Sequence, residues 1–371
     1  MRVVGIDPGT MSFDLCGLSD EGVILDSTIP SAELNSNPNV LFDLLDSIAP
    51  LDLIVGHSGL GTSLKKGGEI GGMEIAEMLL APQRELEGKN TPDLIQAMYK
   101  LYRDPRIRDY PFVFIPGVVH LSTVPEYRKI NKIDLGTADK LCCAVLGVKD
   151  QAEALNIPYG ETSFILIELG FGFNAALSIV NGRIVDGAGG TNLGPGFLAQ
   201  GSLDAELARI FHYITEAPPT RLTFASGGVM SISGNKELTP EEFGKNHDRY
   251  PIAWEAYIEG ILKAISAMSL GHKPREILVS GRLSGLDEIL GELSRRCALP
   301  VRRLGGLKDA KTAKHAAQGA AILADGLAGG RYKKIADIMQ IKNAKGTLLD
   351  HIYFQKIGKN SREILQKIWE S

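Results

Sequence analysis

The hydrophobic residues near the start of the chain fall into three short runs separated by turn residues. The runs cover residues 3–6, 13–18 and 23–28, and Asp7-Pro8-Gly9 and Glu21-Gly22 lie between them. Runs of this length, rich in β-branched residues and bounded by glycine and proline, are typical of strands joined by tight turns. The pattern therefore predicts an antiparallel meander of three strands over residues 2–28.

The same pattern returns about 160 residues later. Its runs cover residues 163–167, 175–180 and 183–186, with Glu168-Leu-Gly-Phe-Gly172 and Asn181-Gly182 as the turns. Asp7 and Gly9 match Glu168 and Gly170 at a spacing of 161 residues, and Gly22 and Asp26 match Gly182 and Asp186 at 160. A constant spacing over the whole meander predicts an internal duplication.

Each meander is followed by a helical pattern and then by a buried strand, at residues 52–56 and 276–281. Each half then closes on a helix, which begins near Thr137 in the first half and spans residues 312–327 in the second. We predict an α/β chain with an N-terminal half at residues 1–155 and a C-terminal half at 156–330. A basic helical extension, with nine Lys or Arg against four Asp or Glu, follows at 331–371.

Composition narrows the function classes. The chain has 371 residues, 44% of them hydrophobic and 23% charged, which suits two domains or one duplicated fold of an ordinary globular protein. A net charge of −4 gives no overall attraction to nucleic acid or to anionic membranes, so we expect neither as a partner. The four cysteines include no C-x-x-C pair, and the first residues run directly into a strand, so we expect a cytoplasmic protein.

Three glycine turns could carry the chemistry. Asp7 ends a strand, where it can hold Mg²⁺ through water, while Gly9 lets a phosphate approach the backbone and Thr10 offers a hydroxyl. Glu168, Gly170 and Gly172 repeat this arrangement, so the two turns together predict a clamp for a polyphosphate and its metal. The third turn, Ser280-Gly-Arg-Leu-Ser-Gly285, follows the buried strand of the second half, where open α/β sheets bind nucleotides.

With these three turns in this order, the chain resembles the superfamily of sugar kinases, heat-shock protein 70 and actin. Within it, the chain is similar to the acetate and butyrate kinase branch, and to an archaeal family of predicted butyrate kinases. Residues 168–174, 181–186 and 193–197 resemble the butyrate kinase pattern HLGGGISV, KGRVIDV and GEGPF. Residues 55–60 resemble its GRGGLL loop, residues 226–229 its GKGGLV, residues 136–140 the acetate kinase HGTSHK, and residues 280–283 TGGL.

The resemblance implies a duplicated ribonuclease-H-like (actin-like ATPase) fold with a nucleotide cleft between the two halves, covering about residues 1–330. It implies that ATP and Mg²⁺ are the cofactors and that Asp7 and Glu168 lie at the metal. The nucleotide would contact a set of turn residues: Gly9, Thr10, Gly170, Gly172, Gly281, Arg282 and Gly285. The acceptor would be a small molecule, such as a short carboxylate, and the second half would form a homodimer.

The chain departs from this family on the acceptor side of the cleft. His57 replaces the arginine of the GRGG loop, Gln200 falls near a second arginine position, and Leu135 replaces the histidine of HGTSHK. An apolar run replaces the aspartate expected near residues 114–120. The acid expected at the start of the final helix falls near residues 312–314, where this chain has Thr-Ala-Lys.

The remaining candidates for proton transfer or acceptor binding are Asp139, His57 and His120. Asp139 follows the start of a helix, which stabilises a carboxylate, so it can act as a base or as a helix cap. Each histidine can bind an anion, move a proton or have a structural role. The loop over residues 56–72 contains seven glycines and Lys65-Lys66, which suits a mobile lid or an exposed loop.

These features favour an ATP- and Mg²⁺-dependent phosphotransferase. Two alternatives remain at this stage. A non-catalytic ATP-binding protein would keep the clamp but lack the acceptor site, as the missing arginines suggest. Gly5-Ile-Asp-Pro-Gly9 also resembles the first strand of Holliday-junction resolvases, although a metal-dependent nuclease needs several carboxylates and a basic face.

Overall fold

A computed structural model describes residues 1–56, 58–88, 91–214, 224–354 and 360–371. Within these residues the chain forms two separate β-sheets. The first sheet is built from β1 (Arg2–Pro8), β2 (Ser12–Ser19), β3 (Gly22–Pro30), β4 (Leu53–Gly56), β5 (Lys65–Lys66) and β6 (Phe112–Phe114). Their order in the sheet is β3-β2-β1-β4-β6-β5. The second sheet is built from β7 (Phe164–Leu169), β8 (Asn174–Val180), β9 (Arg183–Ala188), β10 (Glu276–Ser280) and β11 (Val301–Arg303).

The order of the second sheet, β9-β8-β7-β10-β11, repeats that of the first. In each sheet the meander is antiparallel, and the strand that follows pairs in parallel with the first strand, β4 with β1 and β10 with β7. Both predicted meanders are therefore confirmed. The short strands β5, β6 and β11 were not predicted, because two or three residues carry no readable alternation.

Helices cover both sheets. Those of the first half are α1 (Ser31–Ser36), α2 (Asn39–Ser47), α3 (Gly72–Leu79), α4 (Gln83–Leu86), α5 (Asp93–Arg103), α6 (Arg106–Asp109), α7 (Glu126–Lys129) and α8 (Ala138–Leu155). Those that follow are α9 (Ala205–Ile214), α10 (Val229–Ser233), α11 (Pro240–Lys245), α12 (Pro251–Met268), α13 (Asp287–Arg296), α14 (His315–Ala328), α15 (Lys333–Ile338) and α16 (Ser361–Glu370). No helix among the described residues has both the length and the hydrophobicity that a membrane crossing requires.

The two meanders agree in backbone detail. The first turn closes with a hydrogen bond from Gly9 N to Ser12 O, and the second with one from Gly170 N to Phe173 O. The middle strand of each meander shifts register at Gly17 in the first copy and at Ser178 in the second. All three pairs of positions are 161 residues apart, as the predicted duplication requires, so the α/β fold of two similar halves is confirmed.

The core between the two sheets is formed by α8 and α14. Val3 of the first sheet, and Phe164 and Leu166 of the second, face this core, whereas Val4 and Ile165 face separate cores on the outer sides. This alternation is that of strands buried on both faces. The two sheets thus enclose a pair of helices.

The two helices exchange partners across the halves. Helix α14 belongs to the second half of the sequence but packs on β1, β2 and β4 of the first sheet, while α8 contacts β7 and β8 of the second. Gly5 and Gly319 allow the close approach. A Cβ atom on Gly5 would lie 2.1 Å from Ala321 N, and one on Gly319 would lie 1.9 Å from Cys142 O. The domain boundaries at residues 155 and 330 stay predictions.

The C-terminal extension runs back over the first half. Helix α15 packs on α14 and α8, and α16 packs on α3. The indole of Trp369 lies so close to Gly72 that a Cβ there would be 2.3 Å from Nε1. The extension is therefore part of the packed molecule and covers the helix that follows the glycine-rich loop.

Candidate functional site

The two equivalent turns lie at the ends of β1 and β7, each after an acidic residue. Thr10 is exposed, and a Cβ on Gly172 would meet no atom within 4 Å, so both positions border open space. Asp7 is 6% exposed and pairs across the meander with Asp14, which has Ala175 as its counterpart in the second copy. The sequence-predicted phosphate turns thus have accessible backbone beside buried acids.

The third turn lies directly against the second. Gly281 has φ of 87°, which favours glycine, and a Cβ there would lie 2.5 Å from both Glu168 Oε1 and Leu169 O. Arg282 lies over the ring of Phe171 at 5.2 Å, and Gly285 borders open space. The structure therefore brings the turns at residues 168–172 and 281–285 together, as the interpretation of an adenosine side requires.

Ser280, one residue before this turn, has an unusual environment. Its side chain is fully buried, and its hydroxyl has no hydrogen-bond partner among the described residues. Ser280 is also the partner of Glu168 in the pairing of β10 with β7. A buried hydroxyl without a partner is costly, so its presence at the end of this strand fits a place where a ligand or a water supplies the missing partner.

A lysine joins the acids of the two halves. Lys140 Nζ lies 2.5 Å from Asp139 Oδ2, in the first turn of α8, and 3.2 Å from Glu168 Oε2, at the end of β7. Burial disfavours the ammonium, but the two carboxylates outweigh it and hold the pKa of Lys140 well above its ordinary value. Burial raises the pKa of Glu168, and Lys140 opposes that shift.

This pairing bears on the predicted metal site. Mg²⁺ prefers oxygen ligands and is commonly held through one or two carboxylates, waters and substrate phosphates. Asp7 fits such a role through water. Glu168 is already neutralised by an ammonium, and within the described residues no three acidic, histidine or cysteine side chains are placed to hold a metal. The metal-binding role of Glu168 and the catalytic role of Asp139 stay predictions, each of which requires Lys140 to move.

The two histidine candidates lie in different situations. His57 lies outside the described residues. His120 is fully buried, and its Nε2 lies 3.2 Å from Glu77 Oε1, which also accepts a hydrogen bond from Leu348 N at 2.9 Å. His120 therefore joins α3 to the C-terminal segment, and its catalytic role stays a prediction without an accessible ring.

Sequence reasoning missed the cations of the site. Lys140 was noted only as part of a motif, and Lys314 only as the place where an acid was expected. Lys314 Nζ lies 2.6 Å from Asp14 Oδ2 and 2.8 Å from Ser12 Oγ, beside the first turn. Its charge also reaches Glu168 and lowers the pKa of that carboxyl. The acids and turns of both halves therefore meet around two lysines, and no local pattern in the sequence indicates this.

Solved structures with the same fold are kinases of small carboxylates. A propionate kinase from Francisella tularensis subsp. tularensis matches 86% of this chain and 98% of its own at a TM-score of 0.57 and 13% identity. Acetate kinases from Entamoeba histolytica and Porphyromonas gingivalis match at TM-scores of 0.52 and 0.51, with 11% and 17% identity. They cover 80% and 79% of this chain, and 87% of each of their own.

At these identities the likeness establishes the fold, and the duplicated ribonuclease-H-like architecture is confirmed. No curated protein matches the chain significantly. A sequence model for DUF1464, described as a protein of unknown function, matches residues 5–354. The match spans both meanders, all three glycine turns and most of the chain, so the protein belongs to the DUF1464 family.

Proposed function

We propose that this protein is an ATP- and Mg²⁺-dependent phosphotransferase whose acceptor is a small molecule, most simply a short carboxylate, as in a butyrate kinase. One observation carries the proposal. Two backbone turns of the same geometry, closed by Gly9 N and Gly170 N, end equivalent strands in the two halves, and Lys314 at the first turn is close enough to affect Glu168 at the second.

The roles of the turn residues follow from their placement. Gly9, Thr10, Gly170 and Gly172 would direct backbone and hydroxyl groups at the phosphates, while Gly281, Arg282 and Gly285 would border the adenosine. Asp7 would hold Mg²⁺ through water, and the metal would neutralise charge on the transferring phosphoryl group. Catalysis would rest mainly on positioning of the phosphates and exclusion of water between the halves.

A specific observation favours a second candidate, a nucleotide-binding protein without transfer activity. The carboxylate of Asp139 is held by Lys140 and by the Thr137 hydroxyl, and His120 is buried against Glu77. Neither group is available to an acceptor in this conformation. The nuclease alternative lacks support, since the described residues contain no cluster of acids placed to hold metals.

Calorimetric titration with a non-hydrolysable ATP analogue, with and without Mg²⁺, tests the clamp. We expect micromolar affinity that depends on Mg²⁺ and weakens at least about tenfold in Asp7→Ala, because that variant loses the carboxylate next to the first turn. Asp20→Ala is the matched control, since Asp20 is exposed and pairs only with the amino terminus among the described residues. Absence of binding to the wild-type protein would reject both the kinase and the nucleotide-binding candidates.

The acceptor requires a separate assay. ADP formation is measured with ATP and Mg²⁺ in the presence of acetate, propionate, butyrate or longer carboxylates. Release of ADP that depends on one of these acids supports the phosphotransferase, whereas tight nucleotide binding without such release supports the second candidate.

A further inference from the structure

The ammonium of Lys314 lies at a turn of the opposite half. Lys314 directly precedes α14 in the second half of the sequence, yet its Nζ donates to Asp14 Oδ2 at 2.6 Å and to Ser12 Oγ at 2.8 Å, both on β2. Asp14 is 2% exposed, so its charge requires a partner. The lysine is therefore fixed beside the first glycine turn by two hydrogen bonds.

The backbone before Lys314 is also fixed. Asp26, on β3, accepts hydrogen bonds from the backbone N–H groups of Lys311, Thr312 and Ala313 at 2.7, 2.9 and 2.7 Å. Partial burial opposes ionisation of this carboxyl, but the three donors prevail and lower its pKa. A carboxylate surrounded by three N–H groups holds the segment on the first sheet, so the position of the ammonium does not depend on its long side chain alone.

The free side of the ammonium faces the turn. An ammonium has three N–H donors, and Asp14 and Ser12 use two of them. The Lys314 side chain is 49% exposed, which leaves the remaining donor open to solvent. A Cβ on Gly9 would lie 3.0 Å from Nζ, so the absence of a side chain at Gly9 leaves room for a ligand between the backbone and the lysine.

The second turn has a different cation. There Lys140, from α8 of the first half, reaches Glu168, so each half sends one lysine to the strand end of the other. Lys140 is 18% exposed and contacts two carboxylates, whereas Lys314 is more exposed and contacts one. Of these two crossed lysines, Lys314 is the one with charge available to an anion.

We propose that Lys314 binds the terminal phosphates of ATP at the first turn, at the start of the helix where the resemblance implied an acid. The inference rests on the proposed function, because the ligand is the polyphosphate of the same nucleotide. Since α14 comes from the second half and the turn from the first, the phosphate would contact groups from both halves at this point.

The test compares nucleotides that differ in phosphate content. Calorimetry measures the affinity of wild type and Lys314→Met for the non-hydrolysable ATP analogue, ADP and adenosine. We expect the variant to bind the ATP analogue at least about tenfold more weakly, with a smaller loss for ADP and none for adenosine, because a charged hydrogen bond to phosphate is removed. Lys308→Met, at an exposed lysine in the same segment, is expected to bind all three like the wild type.

A second pair of variants separates phosphate binding from support of Asp14. Asp14→Asn removes the buried charge, and the double variant Asp14→Asn with Lys314→Met removes both partners. If Lys314 contacts the phosphates, the double variant stays weak for the ATP analogue while Asp14→Asn binds it well. If the double variant regains wild-type affinity, or if Lys314→Met weakens all three nucleotides equally, the inference is wrong. If the wild type binds none of them, the proposed function fails instead.

Discussion

At the scale of single residues, the centre of the molecule depends on one buried ion group. Lys140 neutralises Asp139 and Glu168, and each of the three side chains is less than one-fifth exposed. Removing one member of such a group leaves uncompensated charge in a medium that solvates it poorly. The lysine is therefore required for folding even before any role in ligand binding is considered.

We expect Lys140→Met to lower the free energy of unfolding at neutral pH by about 3–5 kcal/mol, measured by urea denaturation. Removing the charge of one partner as well, in Lys140→Met with Glu168→Gln, should recover part of the loss. An equal loss in the single and double variants would show that the packing of the lysine stem matters more than its charge.

The pH dependence of the same variant has a defined sign. Burial raises the folded-state pKa of Glu168, and loss of Lys140 removes a group that opposes this rise. A carboxyl with a raised folded pKa favours folding below its unfolded pKa, and this contribution is lost as the pH rises through the folded value. The deficit of Lys140→Met should therefore be smaller near about pH 5 than near pH 8, as denaturation at both pH values would show.

At the scale of secondary structure elements, the crossing of α8 and α14 sets the distance between the two halves. The helices touch where Gly319 lies against the carbonyl of Cys142, and β1 touches α14 through Gly5. Both contacts are between backbones, which cannot move aside as a side chain can. Small residues at these positions determine how closely the halves approach each other.

We expect Gly319→Ala to destabilise the protein by about 1–3 kcal/mol or more, because the new methyl group would lie 1.9 Å from Cys142 O. Gly291→Ala is the matched control, since Gly291 also lies inside a helix but a Cβ there would meet no atom within 4 Å. That substitution should be neutral or should stabilise by up to about 1 kcal/mol. Thermal or urea denaturation checks both, and an undiminished stability of Gly319→Ala would contradict the tight crossing.

At the scale of the whole molecule, equivalent aspartates join the halves in a crossed arrangement. Asp26 of the first meander accepts three backbone hydrogen bonds from the segment before α14, and Asp186 of the second lies 3.4 Å from Arg128, which precedes α8. Each meander therefore anchors the segment leading to a helix of the central pair. Motion of one half against the other must bend or break these anchors.

We expect Asp26→Ala to reduce the stability by about 1–3 kcal/mol at neutral pH, because three charge-assisted hydrogen bonds are lost. The folded pKa of Asp26 is lowered, so its contribution is present above the unfolded pKa and is lost as the pH falls through the folded value. The difference between wild type and variant should therefore shrink below about pH 4. A difference that persists in acid would indicate that the carboxylate is not the anchor.

The sequence by itself determined the two meanders, their spacing and the positions of the three glycine turns. These features depend on alternation over a few residues and on turn chemistry, which are local, and the duplication gave a second, independent copy of each signal. For the same reason the fold class and the register between the copies could be predicted, down to the turn closed at Gly9 and again at Gly170.

Only the tertiary structure decided which charges meet. Lys140 and Glu168 are 28 positions apart, and Lys314 and Asp14 are 300 apart, so no local pattern could pair them. The burial of His120 against Glu77 and Leu348 likewise depends on the path of the C-terminal segment. Alternation records which face of an element is buried, whereas the placement of ionic partners follows from how distant elements pack, and that packing placed two lysines among the acids of the site.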